Sequence, residues 1–126
     1  MKPLNKKILI IEDEKQLSDI LKERFASEGF EVVIAENGEA GLSTALAEKP
    51  DLILLDLLMP KKDGLSMLKD LRATEEGAHI PVIPLTNFSD ATSLNETLKL
   101  GVKDYIVKAE TEIDDIVKVV RSNMFA

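Results

Sequence analysis

Cysteine is absent from the 126-residue sequence, tryptophan is absent too, and histidine occurs once. The lack of cysteine excludes disulfides, thiolate metal sites and cysteine nucleophiles, and it is typical of a cytosolic protein. The single histidine, His79, excludes a metal site built from several histidines. Its place in a loop before Pro81 predicts an ordinary surface residue.

Long apolar runs are also missing, and none approaches the roughly eighteen residues that a membrane-spanning helix requires. The positively charged start, residues 1–7, is not followed by an apolar stretch, so it does not resemble a secretory signal. The sequence contains neither a G-x-G-x-x-G nor a Walker A motif, which disfavours a nucleotide or flavin binder. These absences predict a cytoplasmic location and no membrane partner.

Acidic residues exceed basic ones, with 23 Asp+Glu against 16 Lys+Arg, and the formal net charge is −7. An acidic chain repels phosphate backbones, so we expect no direct binding of nucleic acid. The length and the content of 44% hydrophobic and 31% charged residues are typical of one globular domain, residues 1–126. Its chemistry would have to rest on carboxylates, hydroxyls and lysines.

Short apolar runs alternate with helical patterns along the whole chain. The runs predict five strands, at residues 8–11, 32–34, 52–55, 82–85 and 105–107. Apolar residues at helical spacing predict a helix after each strand, and the last is expected to start at Thr111 with the capping box Thr111-x-x-Asp114. This alternation is typical of a doubly wound α/β fold, a parallel sheet with helices on both faces.

Polar residues follow the predicted strands, at the edge where sheets of this kind bind ligands. In strand order, these candidate site residues are Glu12, Asp13, Asp56, Thr86 and Lys108. Three carboxylates in one pocket repel each other unless a cation lies among them, and oxygen ligands without histidine or thiolate favour Mg²⁺. A lysine and a hydroxyl can bind phosphoryl oxygens, so the set predicts a phosphoryl-transfer site.

Six motifs occur in a fixed order over nearly the whole chain. They are KILIIEDE at 7–14, AENG at 35–38, PDLILLDLLMP at 50–60, DG at 63–64, PVIPLT at 81–86 and DYIVK at 104–108. Each motif alone is weak, but together and at this spacing they resemble the receiver domain of bacterial two-component response regulators. The resemblance implies a flavodoxin-like five-stranded parallel sheet of order 2-1-3-4-5 with five helices.

The resemblance also implies a metal site and a phosphoacceptor. Asp56 would accept the phosphoryl group. Mg²⁺ would be held by Glu12, Asp13 and Asp56, with Asp13 the more direct ligand of the first two, and by the backbone carbonyl of Leu58.

Three further residues would act around the aspartyl phosphate. Lys108 would pair with the phosphoryl group, and Thr86 and Tyr105 would be a switch pair that rearranges after phosphorylation. The domain would be an enzyme only in catalysing its own phosphorylation and dephosphorylation.

The implied partners are proteins. The donor would be a sensor histidine kinase or a histidine phosphotransfer protein, and the output would pass to a downstream protein target or to an effector domain excised from this sequence. By family resemblance, the fourth helix, fifth strand and fifth helix form the output surface. Whether the sequence is a single-domain regulator or was cut at a linker stays open, as does the oligomeric state.

The sequence departs from the family pattern at several positions. Ala109 replaces a proline that usually follows the lysine in a cis bond, and since a cis bond before a non-proline costs about 2.5–4 kcal/mol, we predict a trans Lys108–Ala109 peptide and a re-routed loop. Pro84 within the fourth strand predicts a missing ladder hydrogen bond or a bulge. Leu58 and Phe88 are apolar where the family guides the hydrolytic water, which predicts a long-lived phosphoryl group.

Two alternative functions belong to other classes. A pseudo-receiver scaffold that never carries phosphate is kept open by Ala109, Pro84 and Leu58, although the intact acid, threonine and lysine set argues against it. An aspartate-nucleophile phosphatase is disfavoured, because that class typically has a second acid two residues after the nucleophile, where this chain has Leu58.

Overall fold

Strands and helices alternate in the computed structural model, which describes residues 4–59, 61–86 and 91–125. The strands are β1 (Lys7–Ile11), β2 (Glu31–Ala35), β3 (Leu52–Asp56), β4 (Val82–Thr86) and β5 (Ile106–Val107). The helices are α1 (Lys15–Ser27), α2 (Gly38–Glu48), α3 (Gly64–Arg72), α4 (Ala91–Leu98) and α5 (Ile113–Met124). Within these ranges, no helix has the length and apolar composition needed to cross a bilayer.

The strands form one parallel sheet in the order β2-β1-β3-β4-β5, which confirms the predicted doubly wound, flavodoxin-like fold. Where β1 pairs with β3, Ile11 lies opposite Leu55. The residues that follow this pair, Glu12 and Asp56, therefore leave the sheet side by side. The register thus brings together two of the predicted site residues.

Strands β1 and β3 are buried on both faces because helices cover each side of the sheet. Alternate residues of a strand point to opposite faces, so Ile8 and Ile10 pack with the apolar sides of α1 and α5, while Leu9 and Ile11 pack with those of α2 and α3. Each buried side chain of this size stabilises the fold by about 1.5–3 kcal/mol. The packing fixes β1 and β3 and, with them, the residues at their carboxyl ends.

Pro84 lies within β4, and the pairing of β4 with β3 continues through it without a bulge. The Leu57 N–H donates to the Leu85 carbonyl at 3.3 Å, so the backbone polar groups of Leu85 point towards β3. Those of the preceding residue, Pro84, therefore point towards β5. On that side the pairing begins only at Leu85, opposite Ile106. The predicted bulge is therefore wrong, and the proline, which cannot donate, lies just outside the β5 ladder, in agreement with the other alternative.

The connection from β5 to α5 contains a 3-10 helix, Lys108–Glu110, and the Lys108–Ala109 peptide is trans as predicted. The predicted start of α5 at Thr111 is wrong. Because the 3-10 helix occupies the residues after β5, α5 begins two residues later, with Glu112 at the N-cap and no side-chain cap bond. The Thr111 hydroxyl donates instead to the Val107 carbonyl at 2.8 Å.

The first turns of α2 and α3 are each capped by a side chain. Asn37 Oδ1 accepts a hydrogen bond from the Ala40 N–H at 2.8 Å, and Asp63 Oδ1 accepts one from the Ser66 N–H at 2.8 Å. Such caps satisfy backbone donors that have no partner within the helix. They fix where both helices begin.

Replacement of the α3 cap is expected to destabilise the fold. Asp63→Ala should lower the free energy of unfolding by about 1 kcal/mol, because the Ser66 N–H loses its acceptor. Urea unfolding measures this change. Ser66→Ala is the control, since it keeps the backbone donor and the cap, and an equal loss in both variants would contradict the assignment.

Candidate functional site

One ammonium group is shared by three carboxylates at the carboxyl edge of the sheet. Lys108 Nζ lies 2.7 Å from Glu12 Oε1, 3.2 Å from Asp56 Oδ2 and 3.4 Å from Glu14 Oε1. Because β4 lies between β3 and β5, the Lys108 side chain must extend across the end of β4 to reach these acids. The structure thus brings together predicted residues at the carboxyl ends of β1, β3 and β5.

Glu12 and Asp56 are almost completely buried, with 1% and 3% of their surfaces exposed. Glu12 is held by two further contacts, since its N–H donates to the Ala35 carbonyl and its Oε2 accepts from the Glu14 N–H, both at 3.0 Å. Its Oε1 is within ion-pair distance of Lys108 but has no hydrogen-bond partner among the described residues, so that contact is electrostatic. Two buried acids beside Lys108, whose side chain is 13% exposed, leave negative charge in excess.

This charge balance acts on the pKa values of the site. Burial and the neighbouring Glu12 raise the pKa of Asp56 to about 7, against the opposing effects of Lys108 and of the Leu58 N–H. Burial favours the neutral amine of Lys108, but the close contact with Glu12 and the charges of Asp56 and Glu12 raise its pKa above its ordinary value. Lys108 therefore stays charged, whereas ionised Asp56 is held at a cost in free energy.

The predicted metal ligands lie close together. Carboxylate oxygens of Glu12, Asp13 and Asp56 are all within 4.8 Å of one another, and Asp13 is exposed to solvent. Asp56 Oδ1 accepts a hydrogen bond from the Leu58 N–H at 3.1 Å, which brings the main chain of Leu58 beside this carboxylate. Hard oxygen donors with excess negative charge fit a divalent cation such as Mg²⁺.

The two predicted switch residues differ in their surroundings. Thr86 ends β4, is 2% exposed and pairs in register with Val107. Tyr105 precedes β5 rather than belonging to it, and 45% of its surface is exposed. The structure therefore places Thr86 in the buried part of this edge and the Tyr105 side chain at the surface. Phe88, which was predicted to affect dephosphorylation, lies outside the described residues.

Sequence reasoning gave no role to two residues that contact the site. Glu14 reaches Lys108, and its position directly after Glu12 and Asp13 was the available signal. Gly64 packs against the end of β3, where an added Cβ would lie 2.4 Å from the Asp56 carbonyl oxygen. The signal for this residue was the Asp63-Gly64 motif.

Residues 8–121 match the family model of the response regulator receiver domain, and the chain belongs to this family. It is 42% identical over 102 residues to the transcriptional regulatory protein CpxR of Escherichia coli, covering 81% of this chain and 42% of that protein. It is 37% identical over 105 residues to the alkaline phosphatase synthesis transcriptional regulatory protein PhoP of Bacillus subtilis, covering 83% and 43%. The chain thus spans less than half the length of these curated relatives.

Solved structures of a response regulator and of a receiver domain share the fold. A response regulator from Chloroflexus aurantiacus, described as putative, has a TM-score of 0.87 at 26% identity, with 99% of this chain and 100% of that chain covered. The receiver domain of a sensor histidine kinase from Pseudomonas aeruginosa has a TM-score of 0.85 at 25% identity, with 96% and 98% covered. The latter structure is described with a magnesium ion coordinated in its active site cleft.

The raised pKa of Asp56 predicts a pH-dependent effect of Asp56→Asn on stability. Between its usual 3.8 and about 7, the folded wild type keeps a proton that the unfolded chain has lost, so wild-type stability falls as the pH rises through this window. The variant lacks this loss. Its stability relative to the wild type should therefore increase from pH 4 to pH 8 by on the order of a few kcal/mol, since each unit of pKa shift corresponds to about 1.4 kcal/mol.

Urea unfolding of both proteins in the presence of a chelator, at several pH values across this window, measures the difference. A constant difference from pH 4 to pH 8 would contradict the raised pKa.

Proposed function

We propose that this chain is a phosphorylation-controlled signalling switch of the cytoplasm, which accepts a phosphoryl group on Asp56. The observation that carries the proposal is the contact of buried Asp56 with Lys108 beside Glu12 at the sheet edge. This arrangement combines a carboxylate nucleophile with a cation for the transferred group. Membership of the receiver family supports a sensor histidine kinase or a histidine phosphotransfer protein as the donor.

The transfer exchanges one bond for another. A carboxylate oxygen of Asp56 forms a bond to phosphorus while the bond between phosphorus and the histidine nitrogen breaks. The electron pair of the broken bond stays on the imidazole of the donor. The transfer therefore needs no oxidant or reductant. Mg²⁺, held by Glu12, Asp13, Asp56 and the Leu58 carbonyl, would supply positive charge opposite the oxygens of the transferred group.

Residues of the chain itself would then respond to the new charge. Lys108 would exchange its contact with the Asp56 carboxylate for one with a phosphoryl oxygen. Thr86, buried at the end of β4, would donate a hydrogen bond from its hydroxyl to another of these oxygens, and exposed Tyr105 would move inward. A local change of charge would in this way alter the outer surface of the domain.

The altered surface would be read by a downstream protein or by an effector domain on the same polypeptide. Curated relatives named as transcriptional regulators, which are more than twice as long as the matched segment, support an effector that acts in transcription. With a net charge of −7, the segment itself is poorly suited to bind DNA. The domain would be no enzyme beyond its own phosphorylation and dephosphorylation.

Intact-mass measurement tests the acceptor. After incubation with Mg²⁺ and a small phosphodonor, the wild type should gain one phosphoryl group, and Asp56→Asn should gain none, because an amide cannot form the acyl phosphate. A receiver domain of known activity serves as control for the donor. If the control receiver domain is phosphorylated but the folded wild type gains no phosphoryl group, the proposal is overturned in favour of a pseudo-receiver scaffold.

The lifetime of the phosphoryl group is expected to depend on Leu58 and Phe88. We expect it to be long, since two apolar side chains give the hydrolytic water little polar support. Replacing both residues by asparagine should shorten the half-life several-fold, measured from the decay of the phosphorylated mass. Leu58 is 52% exposed, so its replacement leaves the core intact. An unchanged or longer half-life would contradict this expectation.

A further inference from the structure

We propose that Gly38, at the start of α2, is a positioning residue for the Mg²⁺ site. It acts by holding the described residues of the β3–α3 loop (57–59 and 61–63), to which Leu58 belongs. The Gly38 N–H donates to the Lys62 carbonyl at 2.9 Å. This N–H is one of the backbone donors that lack a partner within the helix, and here the loop supplies its acceptor. The inference rests on the metal site of the proposed function.

The contact between α2 and the loop leaves no room for a side chain at this position. A Cβ on Gly38 would lie 2.1 Å from the Lys62 carbonyl oxygen, 2.8 Å from its carbon and 3.0 Å from the Asp63 carbonyl oxygen. These neighbours are main-chain atoms, which cannot turn away as the end of a flexible side chain can. Any larger residue must therefore displace the loop or the first turn of α2.

Several contacts tie the rest of the loop to the site, so that a displacement would reach Leu58. The Gly64 N–H donates to the Leu57 carbonyl at 3.2 Å, which closes the base of the loop. Lys62 forms an ion pair with Asp70 of α3. The Leu58 N–H bonds to Asp56 Oδ1 at 3.1 Å. The loop is therefore held at both ends and against α2.

Mg²⁺ is sensitive to such a displacement because it demands nearly ideal octahedral geometry. Moving the main chain of Leu58 would change both its carbonyl ligand and the hydrogen bond that orients the Asp56 carboxylate. Groups that orient metal ligands typically account for 10–100-fold in affinity, on the order of what we expect here. Gly38 has this effect without contacting the metal.

Two alanine variants separate positioning from general destabilisation. Gly38→Ala should weaken Mg²⁺ binding by about tenfold or more. Gly77→Ala is the matched control, because its Cβ would also meet a backbone carbonyl, that of Leu71 at 2.5 Å, at the opposite edge of the sheet. Both should lower the melting temperature, but only Gly38→Ala should raise the Kd for Mg²⁺, measured by titration of backbone amide NMR shifts without phosphodonor.

A Kd in Gly38→Ala equal to that of the wild type would overturn this inference alone. Absence of Mg²⁺ binding by the wild type would overturn it together with the metal site of the proposed function. An equal rise in both variants would assign the effect to lost stability and also overturn it.

Amide hydrogen exchange of the wild type gives a second test if Gly38→Ala does not fold. Because binding linkage is reciprocal, Mg²⁺ should slow the exchange of the Gly38 N–H by holding the loop that accepts its bond. The Gly77 N–H, which donates to Thr74 Oγ1 at 2.9 Å, should exchange at an unchanged rate. Exchange at Gly38 that does not respond to Mg²⁺ would overturn the inference.

Discussion

The contact of the Lys108 ammonium with buried Glu12 and Asp56 is the interaction on which the site depends. The parallel register forces the two carboxylates to leave β1 and β3 side by side, where burial makes an unpaired charge costly. Lys108 offsets part of this cost but is shared with Glu14 as well. The pKa of Asp56 therefore remains raised. The same imbalance leaves excess negative charge at this edge, where the carboxylates of Glu12, Asp13 and Asp56 lie within 4.8 Å of one another.

The surrounding scaffold keeps these charges in place. Both central strands are buried on either face, so the ends that carry Glu12 and Asp56 have little freedom to separate and relieve the repulsion. The β3–α3 loop is closed by backbone hydrogen bonds and held against α2 through Gly38. On our proposal, these backbone contacts are coupled to the geometry of the metal site.

The fold could be predicted from the sequence because each buried strand is a short apolar run followed by a polar residue. The starts of helices were harder to predict. Thr111 is a residue type that often caps helices, but after the 3-10 helix its hydroxyl donates to the Val107 carbonyl. At Pro84 the sequence predicted a missing ladder hydrogen bond or a bulge, and it could not decide between them because the outcome depends on how short β5 is. Side-chain reach and distant contacts, such as Glu14 with Lys108 or Gly38 with Lys62, depend on tertiary structure that no local pattern encodes.

The most direct test of the central claim is to identify the residue that carries the phosphoryl group. Reduction of the phosphorylated protein with borohydride converts an aspartyl phosphate into homoserine. Tandem mass spectrometry of proteolytic peptides then locates this homoserine. The account predicts homoserine at position 56, formed only when Mg²⁺ and the phosphodonor were both present. Homoserine at another acidic position, or none in protein that has gained a phosphoryl group, would contradict it.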